Sequence, residues 1–197
     1  MINKIIMPIL NLLVDQNEIK EEEIDIYYFG LECVILKIVH YISYILIGLS
    51  MHAIWEMLIS ACVFKMLRCH AGGYHAKTRM GCYIFSCMMV LALCVCNRIN
   101  FPLEVYILAV IISDIFILTL APIDNVNNVL DDKEKKRHKK EILKILLVCN
   151  IAIIIMLCKN IAIFRYCISG LSLVALALVL EIVNRKYRIV IKNNSII

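Results

Sequence analysis

Four runs of this chain, residues 80–97, 103–121, 142–158 and 161–182, are almost wholly apolar. Each comes close to the roughly 20 residues that a helix needs to cross a bilayer. The first of them holds no charged residue at all. A soluble fold has no room for such runs. Of 197 residues, 62% are hydrophobic and 19% charged, with mean hydropathy +0.83, whereas soluble domains have about 45–50% apolar and about 25% charged residues. One core of this size does not bury that much apolar surface. In lipid every backbone amide must be satisfied inside its own segment, which selects helices. With 6 Gly and 3 Pro there is little loop for an all-β fold. The fold class is therefore all-α: a polytopic integral membrane protein, not a soluble domain, a disordered chain or a nucleic-acid binder.

The rest of the chain supplies the layout. Ile2, Ile5, Ile6, Ile9, Leu10, Leu12 and Leu13 share one helical face, so residues 1–17 read as an amphipathic helix too short to span. That helix either lies in the interface or packs as a terminal helix. An acidic stretch, residues 18–25, follows. Residues 26–68 hold two spans joined near Gly48, interrupted by Glu32, Lys37, His40, His52, Glu56 and Lys65. Charges at bilayer depth are costly and belong toward the bundle interior, a wet cavity or the interface. The sum is about six transmembrane helices in a single domain over residues 1–197. Residues 122–141 form a polar loop with a basic run, Lys133, Lys135, Lys136, Arg137, Lys139 and Lys140.

Lys and Arg placement orients the chain. If residues 68–82, the basic loop and the tail share one side, the other side keeps only Arg98, Lys159 and Arg165. The shared side is then cytoplasmic, with both termini on it. The 10 Cys lie mostly in apolar runs, where Cys behaves as a small hydrophobe, so a cysteine in a polar setting stands out.

That setting is residues 68–82. Arg68, Cys69, His70, Gly72, Gly73, Tyr74, His75, Lys77, Thr78, Arg79 and Cys82 gather at a membrane boundary. A nucleophilic cysteine needs a base or cation to hold it as thiolate. Cys82 lies seven residues after His75, nearly two turns of a continuous helix, and an unwound start near Gly81 would bring the two closer. Arg79, Lys77 and a helix N-terminus would favour the thiolate further. Cys69 is the rival nucleophile. A zinc site from Cys69, His70, His75 and Cys82 has poor spacing, since adjacent Cys69 and His70 do not readily face one ion; the reading assigns no metal and no cofactor. Asp114 reads as structural, paired with Lys37 or a neighbouring hydroxyl, and Trp55 as an anchor or a core residue.

These residues resemble a known family. Arg68-Cys69-His70-Ala71-Gly72-Gly73-Tyr74-His75-Ala76-Lys77-Thr78 with Cys82-Tyr83 is similar to the signature of the accessory gene regulator B (AgrB) family. Ala121-Pro122-Ile123-Asp124-Asn125-Val126-Asn127 is similar to its Pro-x-Asp-x-x-Asn loop. The resemblance implies a membrane cysteine endopeptidase of bacterial quorum sensing. Its substrate class is an AgrD-like propeptide with an amphipathic leader and an acidic tail, its nucleophile Cys82 and its base His75. It further implies tail cleavage through a Cys82 thioester that leads to a cyclic thiolactone or lactone peptide, and a working homodimer in the bacterial cell membrane with the active site at the cytoplasmic face. Arg68, Gly72, Gly73, Lys77, Arg79, Pro122 and Asp124 are the expected substrate-binding residues, with Asp124 a candidate to orient His75. The alternatives are a transporter or channel built on Glu32, Lys37, Glu56 and Asp114, or a noncatalytic membrane scaffold.

Overall fold

The computed structural model describes residues 3–16, 18–74, 78–124, 130–159 and 162–194, with side chains described as far as Tyr187. The described residues are 86% helical, with no strand among them. The helices are α1 (Asn3–Asp15), α2 (Ile24–Ser50), α3 (Ile54–Ala71), α4 (Arg79–Arg98), α5 (Leu103–Leu120), α6 (Asp132–Cys158) and α7 (Phe164–Asn194), with one 3-10 turn at Glu21–Glu23. The chain divides into two compact units, Met1–Leu46 and Ile47–Ile197.

In the first unit α1 packs back on the start of α2. Ile6, Leu10 and Ile19 are buried against Leu13, Val14, Ile24, Tyr28, Leu31 and Ile35. The apolar set of α1 thus divides between two surroundings. Ile6 and Leu10 face protein, while Ile5, Ile9 and Leu12 stay exposed, an apolar stripe fit to face lipid.

The second unit opens with a tight reversal. Ala53 N–H donates to the Gly48 carbonyl (2.8 Å), and His52 takes φ 46° to turn the chain. From here α3 to α7 alternate in direction, and α7 is the helix the others surround. Tyr166 near the start of α7 meets Ser60 of α3, whose Oγ donates to its carbonyl (2.8 Å). Farther along, the Ala177 carbonyl accepts from Tyr74 N–H (3.0 Å) just beyond α3. So α3 and α7 run parallel. Gly170 permits the close approach, because a Cβ there would fall 2.6 Å from the Ser60 carbonyl, and small residues set such helix contacts in membranes. The core joins Leu67, Ile117, Leu146, Leu171, Val174 and Leu178.

Among the described residues, five helices are long and apolar enough to cross a membrane: Glu21–Ser50, Arg79–Arg98, Leu103–Leu120, Asp132–Cys158 and Phe164–Tyr187. The expected count of about six differs by α3. Its Glu56, Lys65 and Arg68 spoil the apolar run, although it lies alongside α7.

Three readings change. Lys133 to Lys140 form the opening turns of α6 instead of a loop. Asp131 caps them through Asp132 N–H (2.7 Å), and Glu134 closes a capping box by accepting from Asp131 N–H (3.0 Å). Asp114 pairs with the Asn150 amide, whose Nδ2 donates to Oδ2 (2.8 Å), and not with a hydroxyl. Trp55 is 72% exposed, which excludes the core position. Polar groups in the bundle are met in the same local way. Ser169 Oγ donates to Asn97 Oδ1 (2.5 Å), and Tyr166 OH to Glu56 Oε1 (3.4 Å).

Candidate active site

The end of the bundle that holds the last turn of α3 also holds the first turn of α4, the loop after α5 and the opening of α6. Gly72 ends α3 with φ 72° and ψ −154°, a conformation that L side chains avoid, and its N–H bonds back to the Arg68 carbonyl (3.3 Å). The loop after α5 is stitched on here. Ile123 N–H donates to the Ala71 carbonyl (2.9 Å), and a Cβ on Gly72 would collide with the Ile123 carbonyl. Gly73, at φ 127°, passes against the Arg68 guanidinium and the Ala177 carbonyl.

Arg68 fastens this turn from inside. Its guanidinium donates to the Gly72 carbonyl and to the Tyr74 carbonyl (2.5 Å). The fork geometry of Arg suits two acceptors at once. The same guanidinium lies within electrostatic reach of Glu181 and Cys82. The Tyr74 ring then meets Phe85 of α4 edge-on, with centroids 5.0 Å apart.

Helix α4 begins at Arg79. Thr78 is its cap, the hydroxyl accepting from Gly81 N–H (3.0 Å), and Cys82 N–H makes the first helical bond to the Thr78 carbonyl (3.0 Å). Gly81 is therefore helical, not an unwound hinge. Cys82 sits half-buried in the first turn, where the helix dipole favours an anion. Cys69 is exposed in the last turn of α3, where the same dipole disfavours one.

A charged chain runs outward from Arg68. Glu181, 7% exposed, accepts from Arg185 Nε (3.0 Å). Arg185 also donates to the Asp124 carbonyl, and Asp124 Oδ2 pairs with Lys135 Nζ (3.1 Å). Asp124 Oδ1 is buried without a hydrogen-bond partner among the described residues. Beside this chain, His70 Nδ1 lies 3.1 Å from His138 Nδ1 of α6.

Of the residues expected at the site, Arg68, Gly72, Gly73, Pro122, Asp124 and Cys82 gather at this end. Pro122 is half-buried after a cis Ala121–Pro122 bond. Arg79 is exposed at the start of α4. His75 and Lys77 lie outside the described residues, as do Asn125, Val126 and Asn127 of the loop motif. Arg68 holds the turn itself, which differs from the substrate-binding role expected of it. Sequence reading passed over Glu181, Arg185, Lys135 and His138 as members of the site. The Glu181–Arg185 spacing of four residues was the available signal, since such pairs meet on a helix face. No three His, Cys, Asp or Glu side chains among the described residues converge as a metal site.

These features define a multi-pass helical membrane protein with a thiol in the first turn of a helix at one end of its bundle, the end where an arginine ties the neighbouring turn. The family model described as Accessory gene regulator B (AgrB) matches residues 6–182. That is most of the chain, so it belongs to the AgrB family, membrane proteins involved in processing a quorum-sensing propeptide. No curated protein and no solved structure matches the chain.

Proposed function

We propose that the protein is a cysteine endopeptidase that removes the acidic tail of an AgrD-like propeptide. His75 takes the Cys82 thiol proton, and the thiolate attacks the carbonyl at the C-terminal side of the signal segment. The S–C bond forms, the C–N bond breaks, and the tail leaves as an amine carrying the proton from His75. A thiol or hydroxyl within the retained peptide then attacks the thioester. It closes a thiolactone or lactone and returns Cys82. Thioester exchange is near energy balance, so keeping water from the acyl-enzyme is what lets ring closure win. The observation that carries this reading is the position of Cys82 in the first turn of α4, at the helix end whose dipole favours an anion, while Cys69 closes α3 at the opposite pole.

Asp124 is the proposed orienting group for His75, fixing the tautomer that leaves one ring nitrogen free as base. The site faces the cytoplasm of a bacterial cell by the Lys and Arg bias, with both termini on that side, and the protein works as a homodimer. Co-expression with the propeptide from a neighbouring open reading frame tests the reading. Cys82→Ala and His75→Ala each abolish tail release while the protein stays helical in the membrane, and mass spectrometry finds an acyl adduct on Cys82. Processing that survives Cys82→Ala but is lost in Cys69→Ala would move the nucleophile to Cys69.

A further inference from the structure

The contact between His70 and His138 joins the last turn of α3 to the basic opening of α6, across 68 residues of sequence. Its geometry is specific. The two Nδ1 atoms are 3.1 Å apart, and the ring centroids 5.4 Å apart. The difference is about one ring radius at each end, so the two nitrogens lie on the line between the rings. Lone pairs directed at each other hold one proton between them. They do not converge on a common third point, as two ligands of a single cation do.

A head-on pair of this kind tolerates one proton on its axis and not two. With both Nδ1 atoms protonated, two donors face each other and two cations meet. The surroundings amplify the cost. On α6, Arg137 and Lys139 flank His138, and Lys135 is one turn earlier. The acids about one turn either side of His138 on α6 are Glu134, which accepts from Asp131 N–H (3.0 Å), and Glu141, which is bound to Lys144 (2.8 Å). The carboxylates on the other packed elements are also engaged, Asp124 with Lys135 and Glu181 with Arg185. On α3 the neighbouring cation is Arg68, turned onto the Gly72 and Tyr74 carbonyls. Each of these carboxylates, among the described residues, already has a partner.

His70 immediately precedes Ala71 and Gly72, whose carbonyls anchor Ile123 and Arg68. We propose that His138 is a positioning residue for the site: through one shared proton it holds His70, and with it the turn that Arg68 and the α5–α6 loop build on, so that acid releases the turn. The proposal rests on the peptidase reading for its consequence and on the two rings alone for its contact.

The test uses the full chain in anionic lipid nanodiscs, at about pH 7.5 and about pH 5.5, either side of the range where imidazoles ordinarily titrate. Thermal unfolding is followed for wild type, His70→Ala, His138→Ala, the double variant and His138→Asn, whose side-chain amide replaces Nδ1 without titrating. Iodoacetamide labelling of Cys82, read by peptide mass spectrometry, reports the site. At the higher pH each alanine variant lowers Tm by several degrees, the double variant no further, and Cys82 labelling in His138→Ala changes several-fold. At the lower pH wild type falls to the level of the single variants, while His138→Asn falls least. Additive single effects at the higher pH, an acid response in His138→Asn equal to wild type, or coupled unfolding with unchanged Cys82 labelling would each overturn the proposal. None of these readouts needs the propeptide. A failed clasp therefore leaves the peptidase reading standing, and a Cys82→Ala protein that still processes propeptide sinks that reading without touching the clasp.

Discussion

At the scale of single residues the site depends on which end of a helix a thiol occupies. Cys69 adjoins Arg68 and Cys82 follows Arg79 by three residues, but one closes α3 and the other opens α4, and a helix end contributes about half a charge of either sign. Arg68 adds a full charge near Cys82, and its fork ties the Gly72 and Tyr74 carbonyls together. Lysine keeps the charge and loses the fork. Arg68→Lys is therefore expected to slow propeptide processing by at least about tenfold, roughly 1.4 kcal/mol at the transition state, while helicity by circular dichroism stays unchanged. Processing at the wild-type rate in Arg68→Lys would mean that charge alone suffices. That Cys82, Arg68 and the Gly-Gly turn lie at one end of the bundle was legible in the sequence because they share one short segment. Glu181, Arg185 and His138 were not. Glu181 and Arg185 look like the charged end of a last span, and His138 looks like one more member of a basic run. Only the packing of α7 and α6 against α3 gives them partners.

At the scale of elements the apolar runs located the helices well. The charge-free run at 80–97 became Arg79–Arg98, and the run at 103–121 became Leu103–Leu120. Hydropathy failed where helices continue beyond the apolar stretch. α6 starts ten residues before Ile142, and α7 runs on to Asn194, because charged residues such as Lys, Arg and Glu are good helix formers once a cap starts the turn. The Asp131 and Glu134 spacing was the readable sign. Capping also governs the reactive helix. Thr78 satisfies Gly81 N–H at the start of α4, and loss of such a cap costs about 1 kcal/mol. Thr78→Ala should lower the unfolding midpoint by a few degrees and slow iodoacetamide labelling of Cys82, since a frayed first turn aims fewer amide dipoles at the sulfur. Thr78→Ser, which keeps the oxygen, should restore both. Equal losses in the two variants would show that the methyl group matters and the cap does not.

At the scale of the whole molecule the two ends of the α3–α7 bundle differ in charge. One end gathers Arg68, Arg79, Lys133, Lys135, Lys136, Arg137, Lys139, Lys140 and Arg185. The other carries Arg98, Lys159 and Arg165, with Arg98 turned onto the Met51 carbonyl and Arg165 onto Asn100. Lysine and arginine next to span ends are retained on the cytoplasmic side, so the proposed orientation turns the basic end, which is also the Cys82 end, inward. An acidic tail and a membrane-seeking leader would then reach the thiol from the compartment in which a propeptide is made. This orientation makes a direct prediction. Asp132, exposed at the opening of α6, and Glu104, exposed in the first turn of α5, lie at opposite ends of the bundle. In intact cells a membrane-impermeant maleimide should label Glu104→Cys and leave Asp132→Cys untouched until the membrane is opened, each site read by peptide mass spectrometry to separate it from the native thiols. Labelling of Asp132→Cys from outside would invert the bundle. Cys82 would then face away from the cytoplasm, and the propeptide would have to cross the membrane before it was cut instead of after.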